Sequence, residues 1–208
     1  MLPRSLPIFP LPNAVLFPSV FLPLHVFEPR YREMVADALE SDRMIGMVLL
    51  KPGWQQDYEG RPAVYEIGCA GVITHHERLD DGCYNIVLRG VSRFRILAED
   101  HSRNYRVAET ELVVDPSVPH ERPALRDARQ RLEALILTSI DATELEFPAS
   151  MPDEDLVNAL SQYLALEPIE RQALLECEGA LARGRALGEL LEMKVLTSSR
   201  GLKTNGTH

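Results

Sequence analysis

The opening stretch of the chain is apolar but repeatedly interrupted. Leu6-Pro7-Ile8-Phe9 and the run from Val20 to Phe27 are too apolar for loops, yet Pro3, Pro7, Pro10, Pro12, Pro18, Pro23 and Pro29 punctuate them. Proline brings no N–H to a central ladder, so the pattern predicts irregular edge strands packed on a core. Glu28-Pro29-Arg30-Tyr31 then opens a helix: proline suits the first helical position, and a carboxylate just before it faces the positive end of the dipole. Tyr31, Met34, Val35, Ala38 and Leu39 follow at helical spacing, and Ser41-Asp42 ends the run.

Next come signals of strands. Met44 to Leu50 is a short, nearly continuous apolar run, followed by a polar loop, Lys51 to Pro62, that holds Trp54. Val64 to Leu79 and Tyr84 to Leu97 read as two long strands joined at Asp80-Asp81-Gly82, a hairpin signal. Gly90 interrupts the second of these and marks a bulge. A last strand, about Tyr105 to Val114, ends at Asp115-Pro116 and Pro119. From there the period changes to that of helices. Leu125, Ala128, Leu132, Leu135, Ile136 and Ile140 form one stripe. A second helix starts at Met151-Pro152-Asp153, a third runs from Glu167-Pro168 to Cys177 and ends at Gly179, and a fourth runs from Leu181 to Val195 or Leu196. Strands followed by helices predict an α+β protein. The expected division is a β-rich part over 1–118, a helical part over 119–198 and a flexible polar tail over 199–208.

Charge narrows the function. With Lys+Arg 22 against Asp+Glu 31 the net charge is −9. Phosphate-backbone binding draws its affinity from Lys and Arg displacing counterions, so nucleic acid is disfavoured. The cysteines Cys69, Cys83 and Cys177 are widely spaced with no C-x-x-C pair, which predicts reduced thiols in a cytoplasmic protein. Prolines break the apolar N-terminus as a signal peptide, and no stretch approaches the roughly 20 apolar residues of a spanning helix, so no membrane association is expected.

The stretch Leu6 to Val35, ending in His25-Val26-Phe27-Glu28-Pro29-Arg30-Tyr31, resembles the start of the Lon protease N-terminal domain. Ile67-Gly68-Cys69-Ala70-Gly71-Val72-Ile73 and Gly90-Val91-Ser92-Arg93-Phe94-Arg95-Ile96 look like that domain's central hairpin. Pro152 to Leu196 resembles its C-terminal helices, so the likeness spans about residues 5–197. It implies a PUA-like pseudo-β-barrel subdomain followed by a helical bundle. In full-length Lon proteases this region binds unfolded or tagged substrates and helps the hexamer assemble, so self-association is one expectation. The chain stops where the family continues into ATPase and protease parts, which implies a stand-alone form. It has no G-x-x-x-x-G-K-[ST] loop, and its lysines, Lys51, Lys194 and Lys203, follow no nucleophilic serine motif. The expected role is therefore non-catalytic and needs no cofactor. The chain would bind unfolded or partner polypeptide as an adaptor or regulator in protein quality control, with a separate protease as one partner. The rival readings are a PUA-like RNA-binding module, which the charge opposes, and a small hydrolase, for which no G-x-S-x-G elbow or Cys–His pair exists.

The candidate polypeptide-binding residues are Phe17, Phe21, His25, Glu28, Arg30, Tyr31, Trp54 and Arg93. Each has a plainer structural reading. Glu28, Arg30 and Tyr31 also suit a helix start that locks the N-terminal strands in place, and Phe17 and Phe21 suit a core. His25 sits between Leu24 and Val26, as a core or edge histidine does. Arg93 and Arg95 flank Phe94 and are expected on the face opposite that ring, solvated or paired with acids. His75-His76-Glu77 is a poor metal site, because neighbouring strand residues face opposite ways. Proline-broken edge strands leave backbone groups that an extended chain can join by strand addition.

Overall fold

Of the two proline-bearing N-terminal strands, the one that holds Pro23 lies at a sheet edge as expected, and the one that holds Pro7 and Pro10 does not. The computed structural model describes residues 2–57, 60–115, 119–139, 148 and 150–204. Its strands are β1 (Ser5–Leu11), β2 (Phe21–Val26), β3 (Met44–Leu49), β4 (Ile67–Arg78), β5 (Tyr84–Asp100) and β6 (Arg106–Val113). They form one sheet in the order β2-β5-β4-β3-β1-β6, and β5 pairs with β6 as well, so the path from β5 through β4, β3, β1 and β6 returns to β5. β1 is an internal strand of that circuit. Ser5 to Ile8 pair antiparallel with β6, whereas Ile8 to Leu11 pair parallel with β3. Backbone alternation explains the tolerance. Arg4 O accepts from Thr110 N on the β6 side and Leu11 O accepts from Leu50 N on the β3 side. Pro7 therefore faces β3 just before that ladder begins, and Pro10 faces β6 after that ladder has ended. Neither missing N–H removes a ladder bond.

The helices are α1 (Pro29–Leu39), α2 (Arg122–Ser139), α3 (Asp153–Tyr163), α4 (Pro168–Glu176) and α5 (Gly179–Thr204). α1 starts as expected, with Pro29 in its first turn and Tyr31, Met34, Val35 and Ala38 buried. Glu28 makes no side-chain cap; its carboxylate instead accepts from Arg30 Nε at 3.1 Å. The third predicted helix, α4, stops at Glu176 ahead of Gly179, which with φ 85 stands at the start of α5 instead, and α5 continues to Thr204, into the expected tail. The remainder of that tail (205–208), together with Ile140, Phe147 and the 116–118 boundary, lies outside the described residues.

Two compact units result, one of Met1–Val114 with Ser161–Glu176 and the other of Asp115–Leu160 with Cys177–His208. The segment 161–176 thus packs with the strands, whereas the sequence placed it in a helical half. In the first unit one core cluster is Leu6, Ile8, Val48, Ala70, Phe94 and Ala108. The Phe94 ring is accommodated by Gly46 and Gly68, where a Cβ would lie 2.7 Å from Phe94 Cζ.

At the β4–β5 hairpin, Gly82 takes φ 80 and donates to Leu79 O at 2.9 Å. The Asp81 carboxyl accepts from Cys83 N at 2.9 Å, which holds it below the usual carboxylate range. The register slips between Ala70 and Gly71, whose partners are Ser92 and Gly90; Val91 is the extra residue of the bulge.

Arg93 is the main departure on the face opposite Phe94. It is buried, and its Nη1 donates to Leu175 O at 2.8 Å. α4 covers that face, with Gln172 Nε2 donating to Ile67 O at 3.0 Å, and Arg93 meets the negative end of the α4 dipole. Arg95, by contrast, is exposed and pairs with Glu66 at 3.3 Å.

Tyr105 ties β6 to α1 through Asp37, donating to its Oδ2 at 2.7 Å. Burial, and then the Asp37 carboxylate, push its phenol up to about 12. A raised folded-state pKa gives stability that is fully present below the unfolded value of about 10 and lost as pH rises through the folded one. The stability gap between the native chain and Tyr105→Phe should therefore be constant below pH 10 and close between about pH 10 and 12. Urea unfolding of both proteins across that range checks it.

In the second unit α2 packs on α5. Gly184 lies against Ala128 and Val157, and Arg183, fully buried, donates to Asn158 Oδ1 at 2.5 Å. Arg129 fastens α3 to α2 by donating to Met151 O, Asp153 and Pro148 O.

Candidate peptide-recognition face

β2 turns alternate side chains outward. Phe21, Pro23 and His25 are exposed, Leu22 and Leu24 are half-buried, and Val26 is buried. The same parity carries on to Phe27, so four side chains project along about 20 Å of extended backbone. Phe21 is 48% and Phe27 62% exposed. Large side chains this open to water form a surface, not a core. β5 lies alongside, with Arg89, Val87 and Asn85 opposite Phe21, Pro23 and His25. Tyr163, at the end of α3 and 63% exposed, sits beside Phe21, its hydroxyl bonded to the Phe21 carbonyl.

One end of the strip is polar and ordered. His25 Nδ1 lies 2.8 Å from Asn85 Oδ1, and Asn85 Nδ2 donates to Glu77 Oε2 at 3.2 Å. With the amide so oriented, Nδ1 is the donor, and the ring is held 6.2 Å from that of Phe27. The other end is apolar. There α3 fixes the strand: Gln162 Nε2 and Tyr163 OH both donate to Phe21 O at 2.8 Å, while Gln162 Oε1 accepts from Phe17 N at 3.0 Å.

These bonds alter the expectation of strand addition. Gly90 N donates to Val20 O, so by alternation Phe21, Pro23 and His25 present their backbone to the outer edge. On that edge the Phe21 carbonyl is already taken twice and Pro23 has no N–H. The edge is a poor template; the side-chain face is what remains.

The candidate residues therefore separate. Phe21 and His25 lie together on the strip. Phe17, fully buried, and Tyr31, packed on Phe9 with ring centroids 4.4 Å apart, belong to the core and are removed from the strip. Arg93 is removed for the same reason. Glu28 and Arg30 pair with each other at 3.0 Å, and Trp54 sits half-buried in a 3-10 turn, Trp54–Asp57. Phe27 and Tyr163 were not among the sequence candidates. The parity of positions 21, 23 and 25 pointed to Phe27, whereas Tyr163 looked like part of an apolar helical stripe.

Chemistry by nucleophile or metal finds no support in this region. Among the described residues no group of three or more His, Cys, Asp or Glu is placed to hold a metal ion. His75 and His76 stand opposite Val87 and Ile86 and so face opposite ways. Cys69, Cys83 and Cys177 form no disulfide, and burial, then the Asp81 carboxylate, push the Cys83 thiol up, away from the thiolate a nucleophile needs. No helix among the described residues is long and apolar enough to cross a membrane.

Comparison with known proteins agrees with the fold and extends it. The chain is 30% identical over 181 residues to Lon protease 2 of Syntrophobacter fumaroxidans, covering 84% of this chain and 22% of that protein. It is 29% identical over 200 residues to Lon protease 2 of Myxococcus xanthus, covering 93% and 24%. It thus spans about a quarter of the length of these relatives. Among solved structures, a Lon N-terminal domain protein from Xanthomonas campestris matches with TM-score 0.59 and 26% identity, covering 90% of this chain and 97% of that one. The N-terminal domain of a Mycobacterium avium complex Lon protease shares the fold, with TM-score 0.69 at 16% identity over 91% and 98% of the two chains. The family model described as the ATP-dependent protease La (LON) substrate-binding domain matches residues 5–193, and the chain belongs to that family.

Proposed function

We propose that this chain recognises unfolded or extended polypeptide on the outer face of β2 and cleaves none itself. The observation that carries the proposal is the strip Phe21-Pro23-His25-Phe27 with Tyr163, a row of exposed aromatic and apolar groups held rigidly by α3 and β5. An unfolded chain exposes the apolar side chains that such a strip can cover, whereas a folded protein hides them. Membership of a substrate-binding family supports the same reading, since the match is to the recognition part of Lon proteases. In this reading the protein works in the cytoplasm as an adaptor or regulator of protein quality control, with a separate protease or a second copy of itself as further partners. The closed circuit of strands is compatible with a PUA-like subdomain, but RNA is not the favoured ligand, because the net charge of −9 repels it.

Isothermal titration tests the proposal. A reduced and alkylated, permanently unfolded model protein should bind saturably, and the same protein in its native form should not. Equal binding of both forms, or heat from neither, would count against it.

A further inference from the structure

We propose that a second, smaller site in the first unit binds a carboxylate, and that Arg61 is the residue that holds it. The site is a pocket of about 180 Å³ whose lining includes Arg30, Arg61, Asn104, Tyr105 and Arg106. Among the described residues no acidic side chain lines it, in a chain whose net charge is −9. Taking about 30 Å³ per water, it has room for roughly six waters, enough for a carboxylate and a short stem.

The guanidinium groups in its wall differ in what they already hold. Arg106, almost wholly buried, is fixed through Nε and Nη2 to Glu99 and through Nη1 to Pro62 O at 2.7 Å. Arg30 forks onto Glu28 at 3.1 and 3.0 Å and lies over the Tyr31 ring. Both charges are compensated by a carboxylate. Arg61 is different: among the described residues it donates to two backbone carbonyls, Asp100 O at 3.5 Å and Arg103 O at 3.4 Å, both at the long limit of a hydrogen bond. No carboxylate among the described residues pairs with it.

The balance of charge selects the ligand. Asn104 Nδ2 already donates to Glu33 Oε2 at 2.9 Å, so the open donors are those of Arg61, whose planar fork matches a planar carboxylate in two parallel bonds. A dianion such as phosphate would leave charge unmatched. The site deepens the polypeptide reading, on which its biological use rests, because a polypeptide offers carboxylates at its C-terminus and on Asp and Glu. The binding itself does not depend on the β2 strip.

The test is a titration of the 15N-labelled full chain with three probes. They are N-acetyl-alanyl-alanine as the free acid, the same dipeptide as its C-terminal amide, and N-acetyl-aspartyl-alanine amide; inorganic phosphate serves as a fourth arm. The free acid should bind, moving the signals of Arg61 and Asn104, and the alanyl amide should not. The aspartyl amide separates the two sources: binding equal to that of the free acid assigns any carboxylate, and weaker binding assigns the C-terminal one. Arg61→Ala should weaken binding at least about tenfold, because a bond to a charged group contributes more than 1.4 kcal/mol. Arg61→Lys, which keeps the charge but not the fork, should bind between the two. Phe21→Ser should leave the free acid's affinity unchanged, so that failure of the β2 reading and failure of this one are told apart. Equal binding of acid and amide, tighter binding of phosphate, or an affinity unmoved by Arg61→Ala would overturn the proposal.

Discussion

Replacing Gly90 by alanine is expected to destabilise the first unit by about 3 kcal/mol or more, at the severe end for overpacking. A Cβ at position 90 would sit 2.0 Å from Phe17 O and 2.8 Å from Phe17 C. These are backbone atoms and cannot swing aside. They are held close because Ser19 N donates to Gly90 O and Gly90 N donates to Val20 O, both at 2.9 Å. Relief requires breaking the clasp that sets where β2 begins, so loss of stability and loss of polypeptide binding should appear together. Gly53 supplies the contrast. Its φ of 90 strains any other residue, but among the described residues no atom lies within 4 Å of its would-be Cβ. Gly53→Ala should cost only about 1–2 kcal/mol, the penalty of a left-handed backbone. Urea unfolding of the two variants measures the difference.

The second large effect is on binding alone. The double variant Phe21→Ser with Phe27→Ser should lose affinity for unfolded polypeptide by roughly 30-fold, as the loss of a hot-spot aromatic of about 2 kcal/mol implies. Its stability should stay within about 0.5 kcal/mol of the native protein, because substituting exposed side chains removes little packing. Phe17→Ser should behave in the opposite way. Phe17 is fully buried, so that change leaves a cavity and a hydroxyl in the core and costs several kcal/mol, about the 3–5 kcal/mol of a Phe-to-Ala truncation. Affinity and unfolding midpoint measured on all the variants separate a recognition residue from a core residue within one short segment.

That contrast also marks how far the amino-acid order can be read. Local signals were legible where local chemistry decides. Pro29 opened α1, the Asp81-Gly82 turn joined β4 to β5, and Gly90 marked a bulge. Strand partnership was not legible. β1 looked like an edge strand because of its prolines, yet its pairing is divided between β6 and β3, and the missing N–H groups fall where neither ladder runs. The fate of Arg93 was equally hidden, since what buries it is α4, which lies far along the chain and leaves no trace in the alternation around Phe94. The same distance concealed Tyr163 and Gln162, whose bonds to Phe21 and Phe17 tie the start of the strip to α3. Family resemblance identified the segment from Leu6 to Val35 as special. It took the side-chain directions of β2 to show that Phe21 and His25 face outward and Phe17 does not.

The proposed place for polypeptide is the outer face of β2. Photo-crosslinking tests it most directly. Phe27 replaced by p-benzoylphenylalanine should attach covalently to an unfolded model protein on illumination. The same probe at Gln130, exposed on α2 in the other unit, should give only background. A strong adduct at position 130 with none at position 27 would contradict the account.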